Sequence, residues 1–533
     1  MMPDNQRVIK KKTGALILCL VGFQCALATD FYISTSGSDV TGKGSKASPW
    51  RTLKFACTMV PDSHGHTIQL TSGTFVETQI TVPPGVSILG AGKDQTIIKA
   101  DPTFYFNPAE PGFGTDKFLL NLSSSEPTNG NQSIKNFTVD GDGKKLHGAI
   151  YVKNRSNVLI EGIKVQYTNF TGIWLWDVED SRVTDIQLKD CAWGSADWSS
   201  GAMDLANLKR VELDHITVDE GFGEGIKSLG ANGEGNGKLH YLKIHDNYIS
   251  VTPNGQWKTA SGESAPNIAF ELWNIELLGC ELYNNYIDNT ISLVNDQPQF
   301  TNPKGIQTIR IYNNILDMQT RAKGSGYALE ISLHDVEVDH NYILRGPWGI
   351  VNWSTHGIKM SNWAIHHNVF YGIAASNPAS IIRAQKDGLH HVQFYNNTVE
   401  FTGTTTTNLI AIMEGSSDNV EVKNNLIINS NTSYNLYPNK LVHLEKGTLR
   451  NLEVSNNLLF KQPVGNVPGT YTNNLAADPK INKTGTRPAP YYLPLAGSPL
   501  IDAGLNVGLP FEGKAPDIGA YEYHFSDFTP KNE

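Results

Sequence analysis

Short segments with alternating apolar residues recur along this 533-residue chain, and their aliphatic positions align them with one another. The residues that then point outward form one row: Trp174, Asp204, Lys227, Glu271, Ser292, Glu330, Val351 and Arg383. Two positions further on, a second row holds Trp176, Trp273, Ser332, Trp353 and Gln385. Carboxyl groups serve general acid–base work on a glycosidic bond, and indole faces stack on sugar rings. Asp204, Lys227, Glu271 and Glu330 are therefore the catalytic candidates. Trp174, Trp176, Trp273, Trp353 and Arg383 are the candidates for holding substrate. A plainer reading competes, because outward strand residues are polar in any soluble protein.

Two reactions fit the same row. In hydrolysis, two carboxyls flank the bond. Asp204 and Glu271 stand two rungs apart, as do Glu271 and Glu330, which gives roughly 9.6 Å by strand spacing. That is nearer the ~6.5–9.5 Å of inverting glycosidases than the ~5–5.5 Å of retaining ones. Lys227 then orients a carboxylate or binds hydroxyls. In β-elimination, Lys227 or Arg383 removes the proton beside a uronate carboxylate. The balance of acids and Trp over basic residues favours a hydrolase. A non-catalytic glycan-binding or adhesive protein is the third reading. No cofactor is required, although Glu220, Glu224 and Asp204 together offer hard oxygen ligands for calcium.

The elements that must position this row are repeats. An Asn-containing turn returns as Tyr283-Asn284-Asn285, Tyr312-Asn313-Asn314, His340-Asn341, His367-Asn368, Tyr395-Asn396-Asn397, Lys423-Asn424-Asn425 and Ser455-Asn456-Asn457. Its last Asn recurs, from Asn247, at intervals of about thirty residues, the mark of a solenoid. Ala328 to Leu333 and Gly349 to Trp353 alternate as strands do, not as helices. Each repeat has room for three short strands and their turns. The expected fold is all-β, a single-stranded right-handed parallel β-helix of about a dozen coils with an N-terminal capping helix. The repeated Asn becomes an internal ladder and also takes up the left-handed turn.

The formal charge of −9 speaks against a nucleic-acid partner. Arg7 and Lys10 to Lys12 precede an apolar run from Ala15 to Phe23, and Ala26-Leu27-Ala28 is a small-x-small cleavage site. Residues 1–28 read as a secretory leader, with lipidation at Cys25 a weaker alternative. No later stretch is long and apolar enough to span a membrane. Cys57, Cys191 and Cys280 fit neither a disulfide framework nor a zinc pattern and read as buried small apolar residues.

After the leader comes Ser48-Pro49-Trp50-Arg51-Thr52-Leu53, with Ser48 as a candidate N-cap and Pro49 as first helical residue. Leu53, Ala56 and Val60 share a face that can plug the first coil. This opening, the Gly73-Thr74-Phe75 stretch, and the end, Gly497-Ser498-Pro499-Leu500-Ile501-Asp502-Ala503-Gly504 with Pro516-Asp517-Ile518-Gly519-Ala520-Tyr521-Glu522, resemble secreted bacterial β-helix proteins of the pectate-lyase-like superfamily. The resemblance implies the fold and places the binding cleft over the strand that carries the first row. It implies no single activity, since lyases, hydrolases, epimerases and adhesins share the fold. The polygalacturonase pattern of Asn-Thr-Asp, Asp-Asp, Gly-His-Gly and Arg-Ile-Lys is absent. The expected division is leader 1–28, N-terminal cap and first coils 29–115, β-helix 116–460 and C-terminal cap 461–533. Insertions at 191–200 and 252–266 are candidate groove walls. His334, Asp335 and Asp339 read as solvated surface. The expected partner is a polysaccharide or oligosaccharide, met outside the cytoplasm by a monomer.

Overall fold

The computed structural model describes residues 28–61, 65–105, 117–143, 145–193, 201–228, 237–251, 268–295, 307–318, 327–346, 348–352, 361–373, 379–386, 388–403, 407–430, 441–465, 467–488 and 490–523. Among the described residues the regular secondary structure is nearly all strand, and every named strand joins one sheet of 37 strands. Each strand pairs in parallel with its counterpart one coil on. The chain is a right-handed parallel β-helix, the hand that parallel crossovers take. Its apolar residues fill one continuous interior from Ile33 to Val467. Cys57, Cys191 and Cys280 are buried free thiols, as their isolation suggested.

Early coils are drawn in long strokes. The strands Phe118–Asp140, Leu146–Gln166, Thr168–Lys189 and Gly201–Glu220 each run round most of a coil. They bend at residues with positive φ, such as Asn154, Asp177 and Asn207. Asn and Asp tolerate that conformation because a short polar side chain can bond locally.

The Asn ladder is present and runs further than the repeat suggested. The Asn285 side-chain amide donates to Asn314 Oδ1 at 2.9 Å, Asn314 to Asn341 at 2.9 Å, and so on to Asn457 and Asn474 at 2.9 Å. One part of the expectation is corrected. The ladder Asn does not make the left-handed turn; the residue before it does. Asp246, Asn284, Asn313, His340, His367, Asn396, Asn424 and Asn456 all have φ between +49° and +58°. The two positions divide the work, the first turning the chain and the second entering the core.

The capping helix is Leu53–Met59, and its start differs from the expected one. Thr52, not Ser48, is the N-cap, accepting from the Phe55 N–H at 3.2 Å. Ser48 and Pro49 lie before it because Trp50 bridges to Ile33 in the first strand. Asp39 accepts from the Arg51 and Thr52 N–H groups, and Glu77 from those of Leu53 and Lys54. Thr52→Ala is expected to cost about 1 kcal/mol of stability, the usual loss of an N-cap, measurable by urea unfolding.

At the other end the chain turns back and lies across the coils. Asn456, Asn424 and Asn396 donate to the carbonyls of Ala503, Leu505 and Asp517. The Ala520 N–H reaches Thr398 Oγ1 at 3.0 Å, and Tyr521 packs among Tyr342 and Val369. Residues 1–27, which contain most of the expected leader, lie outside the described residues. Among the described residues no helix is long and apolar enough to cross a membrane.

Candidate functional site

The first row of outward side chains is in register rung by rung. Trp174 pairs with Asp204, Asp204 with Lys227, Lys227 with Glu271, and Glu271 with Ser292. Ser292 then pairs with Glu330, Glu330 with Val351, and Val351 with Arg383. The row continues to Tyr151 and Asn121 on one side and to Ala411 and His443 on the other. In the second row Trp273, Val294 and Ser332 are in register, and Ala206 follows Trp176.

Most of this outward row is nevertheless buried. Asp204 is wholly buried, Lys227 nearly so, and Glu271 and Glu330 each keep 9 % exposure. Lys227 is the centre of the cluster. Its ammonium donates to Glu224 Oε2 at 2.9 Å and to Glu271 Oε2. Burial, followed by the charge of the neighbouring Glu271, raises Glu224 well above the ordinary carboxylate range. Burial acts against the Lys227 charge, but the two glutamates outweigh it and its pKa is raised. Asp204 accepts the Gly201 N–H on Oδ1 at 2.9 Å, while Oδ2 is buried without a hydrogen-bond partner. Burial pushes Asp204 up to about 8, against the pull of the Gly201 N–H, Lys227 and Thr171. Two rungs beyond Glu271, Glu330 Oε2 accepts from Ser292 Oγ at 2.7 Å and Tyr327 Oη at 2.9 Å.

Glu224 is the functional residue that alternation misses. It shares a strand with Lys227, three positions before it, and so belongs to the opposite face of a regular strand. Gly225 lies between them, where an added Cβ would fall 2.3 Å from the Ala269 carbonyl oxygen. A side chain at that position has no room against the neighbouring coil. The nearby Glu220, grouped with Glu224 and Asp204 as an oxygen ligand, is otherwise engaged. Its two oxygens accept from the N–H groups of Cys191, Ala192, Phe222 and Gly223, fastening a loop.

The aromatic candidates divide. Trp273 is 42 % exposed beside Glu271. Trp174 is buried against Phe118, Tyr151 and Phe170, so it packs and has no open face for a sugar. Trp176 is half-buried, with Lys153 over its ring at 4.4 Å. Arg383 lies over the Trp348 ring at 4.6 Å, with Nε and Nη1 buried and unpartnered. Trp353, the 252–266 insertion and all but the first three residues of the 191–200 insertion lie outside the described residues. Asp339 is not solvated surface: it is buried, with both oxygens on Arg310 at 2.8 Å.

The raised acids predict an unusual pH profile. Asp204 rises to about 8, and Glu77 and Glu220 to about 7, each mainly through burial. Between their unfolded and folded pKa values the native chain binds more protons than the unfolded chain, so stability falls as pH rises. Asp339 works the other way only below about pH 4: burial opposes its charge, but His340 and Arg310 hold it near about 2. The melting temperature is expected to be higher near pH 5 than near pH 8.5, with Asp204→Asn flattening the slope.

Residues 127–301 match a family described as the right-handed beta helix region. No curated protein sequence matches the chain. Several solved structures share the fold. The tailspike protein of E. coli bacteriophage HK620, solved with a pentasaccharide, is 12% identical, over 83% of this chain and 78% of its own, with a TM-score of 0.48. The surface adhesin PfbA of Streptococcus pneumoniae is 12% identical over 69% and 82%, with a TM-score of 0.39. A lacto-N-biosidase from Eubacterium ramulus is 11% identical over 78% and 68%, with a TM-score of 0.37. At these identities the likeness is one of fold.

Proposed function

We propose that the protein is a secreted carbohydrate-active enzyme that hydrolyses glycosidic bonds. The observation that carries this reading is the seat of Lys227. An amine acts as a base only when neutral, and two glutamates hold this one as ammonium. Proton chemistry in the row is thereby left to the carboxyls. Lys227 is a positioning residue that fixes Glu271 beneath the exposed face of Trp273.

Glu271 and Glu330 are the proposed catalytic pair. Glu271 gives a proton to the leaving oxygen as the glycosidic C–O bond breaks. Glu330 takes a proton from the water whose oxygen bonds to the anomeric carbon. Burial and the Glu271 charge raise Glu224, so the Glu224–Glu271 pair holds one proton between them, the proton that Glu271 delivers. The two-rung interval, roughly 9.6 Å along the sheet, leaves room for that water and favours inversion. Ser292 and Tyr327 donate to Glu330 Oε2 and so orient the carboxyl for this step.

A panel of neutral and uronate polysaccharides tests the reading. New reducing ends without an ultraviolet-absorbing unsaturated product support hydrolysis. An unsaturated product moves the assignment to elimination, with Arg383 as the remaining base. Binding without cleavage makes the protein a glycan-binding module. Secretion predicts a mature N-terminus at Thr29, read by N-terminal sequencing of protein collected outside the cytoplasm.

A further inference from the structure

Far from this row, on the face crossed by the C-terminal segment, two successive coils break the chain's own pattern. The turning position ahead of each ladder Asn is Asn or Asp at Asp246, Asn284, Asn313, Asn396, Asn424 and Asn456. In the coils between Asn313 and Asn396 it is His340 and His367, both with φ +54°. Their rings stack at 4.9 Å, 5° from parallel. Asp339 and His366, which pair across the same two coils, complete a two-by-two array.

The contacts within the array are those of donors crowded together. His340 Nδ1 lies 2.7 Å from Asp339 Oδ2, and His366 Nδ1 lies 3.1 Å from His367 Nδ1. One donor atom from each of Asp339, His340 and His366 falls within 4.8 Å of the others. His366 Nε2 is held by the Glu337 carboxylate at 3.2 Å, the outer contact that orients a metal-binding imidazole and leaves Nδ1 as its lone-pair nitrogen. A groove of about 500 Å³ opens in front, closed on its far side by Phe511, Glu512, Tyr521 and Glu522. The His340 side chain is 34 % exposed, so an ion can reach it.

We infer that Asp339, His340 and His366, with His367 as a fourth donor, form a binding site for one divalent transition-metal ion of the zinc class. Imidazole nitrogens with one carboxylate select zinc-like ions over calcium or magnesium. In a tetrahedral site with ~2.0–2.1 Å bonds, donors sit ~3.3 Å apart. With all three donors within 4.8 Å of one another, no pair has to close by more than about 1.5 Å, within reach of imidazole rotation about χ2. Arg310 fixes the Asp339 carboxylate by both oxygens and sits near the ion, so most of the affinity comes from the imidazoles. The proton between the two Nδ1 atoms, carried by His367, moves to His367 Nε2 as the ion binds, so both rings coordinate as neutral imidazoles.

The test uses the full chain stripped of metal with chelator and titrated with zinc chloride in a calorimeter. One ion per chain is expected, with a Kd in the micromolar range or tighter and a zinc-dependent rise in melting temperature. The double variant His340→Asn/His367→Asn puts into both turns the residue the other coils use, so its zinc-free melting curve should match the native one. Its zinc affinity should fall by about 100-fold or more. Cobalt(II) bound to the native chain should give the visible bands of a four-coordinate ion. No saturable zinc heat at millimolar concentration, undiminished affinity in the folded double variant, or an octahedral cobalt spectrum would each overturn the site.

Discussion

Glu271→Gln is expected to leave the fold intact and to lower turnover by about 10²-fold or more, the usual scale of general acid–base catalysis. Gln keeps the shape of the side chain but cannot give up or accept a proton. Lys227 keeps Glu224 at 2.9 Å, and with the Glu271 charge gone the Glu224 carboxylate pairs with it. Phe270 and Leu272, which flank Glu271 and are buried, are untouched. Glycan affinity should survive because Trp273 survives. The measurement is turnover on whichever polysaccharide the panel identifies, beside a melting curve. Full turnover in a folded variant would remove Glu271 from the mechanism and leave Asp204 and Glu330 as candidates.

Asn397→Leu should destabilise the protein by about 3 kcal/mol or more. The Asn397 amide nitrogen donates to the Ile365 and Tyr395 carbonyls and to Asn425 Oδ1. Its oxygen accepts from both the backbone and side-chain nitrogens of Asn368 at 3.0 Å. The residue is fully buried, so water cannot replace these partners. Each buried polar group left unpaired costs about 1–3 kcal/mol, and several are orphaned together. Leu is of similar size, which separates the polar loss from a cavity. Chemical unfolding of the two proteins gives the difference, and equal midpoints would mean that the ladder adds nothing at this rung.

The register of the outward row could be read from sequence because its flanking residues alternate strictly. Phe270 and Leu272 face inward, so Glu271 faces outward, and the same logic places Glu330 between Leu329 and Ile331. The ladder was legible because parallel stacking turns a periodic sequence into a column. What escaped was set by contacts between distant segments. Alternation says which way Trp174 points, but not that Phe118, Tyr151 and Phe170 meet it there. Pro49 suits a helix start, yet the pairing of Trp50 with Ile33 holds that stretch extended. Alternation puts Glu224 and Lys227 on opposite faces, yet the ammonium meets the Glu224 carboxylate at 2.9 Å, next to a Gly225 that packs against the Ala269 carbonyl.

The returning C-terminal segment changes how this molecule comes apart. In a simple solenoid each coil feels only its neighbours, so a frayed end can peel away coil by coil. Here residues 503–521 bond to coils carrying Asn456, Asn424 and Asn396 and pack on Tyr342. No coil in that span can loosen without disturbing others several rungs away. The far half of the rod should therefore open as one block, and hydrogen exchange along its strands should show a shared opening energy instead of a gradient. The fastening follows those coils in the chain, so they can be made and stacked before it closes over them.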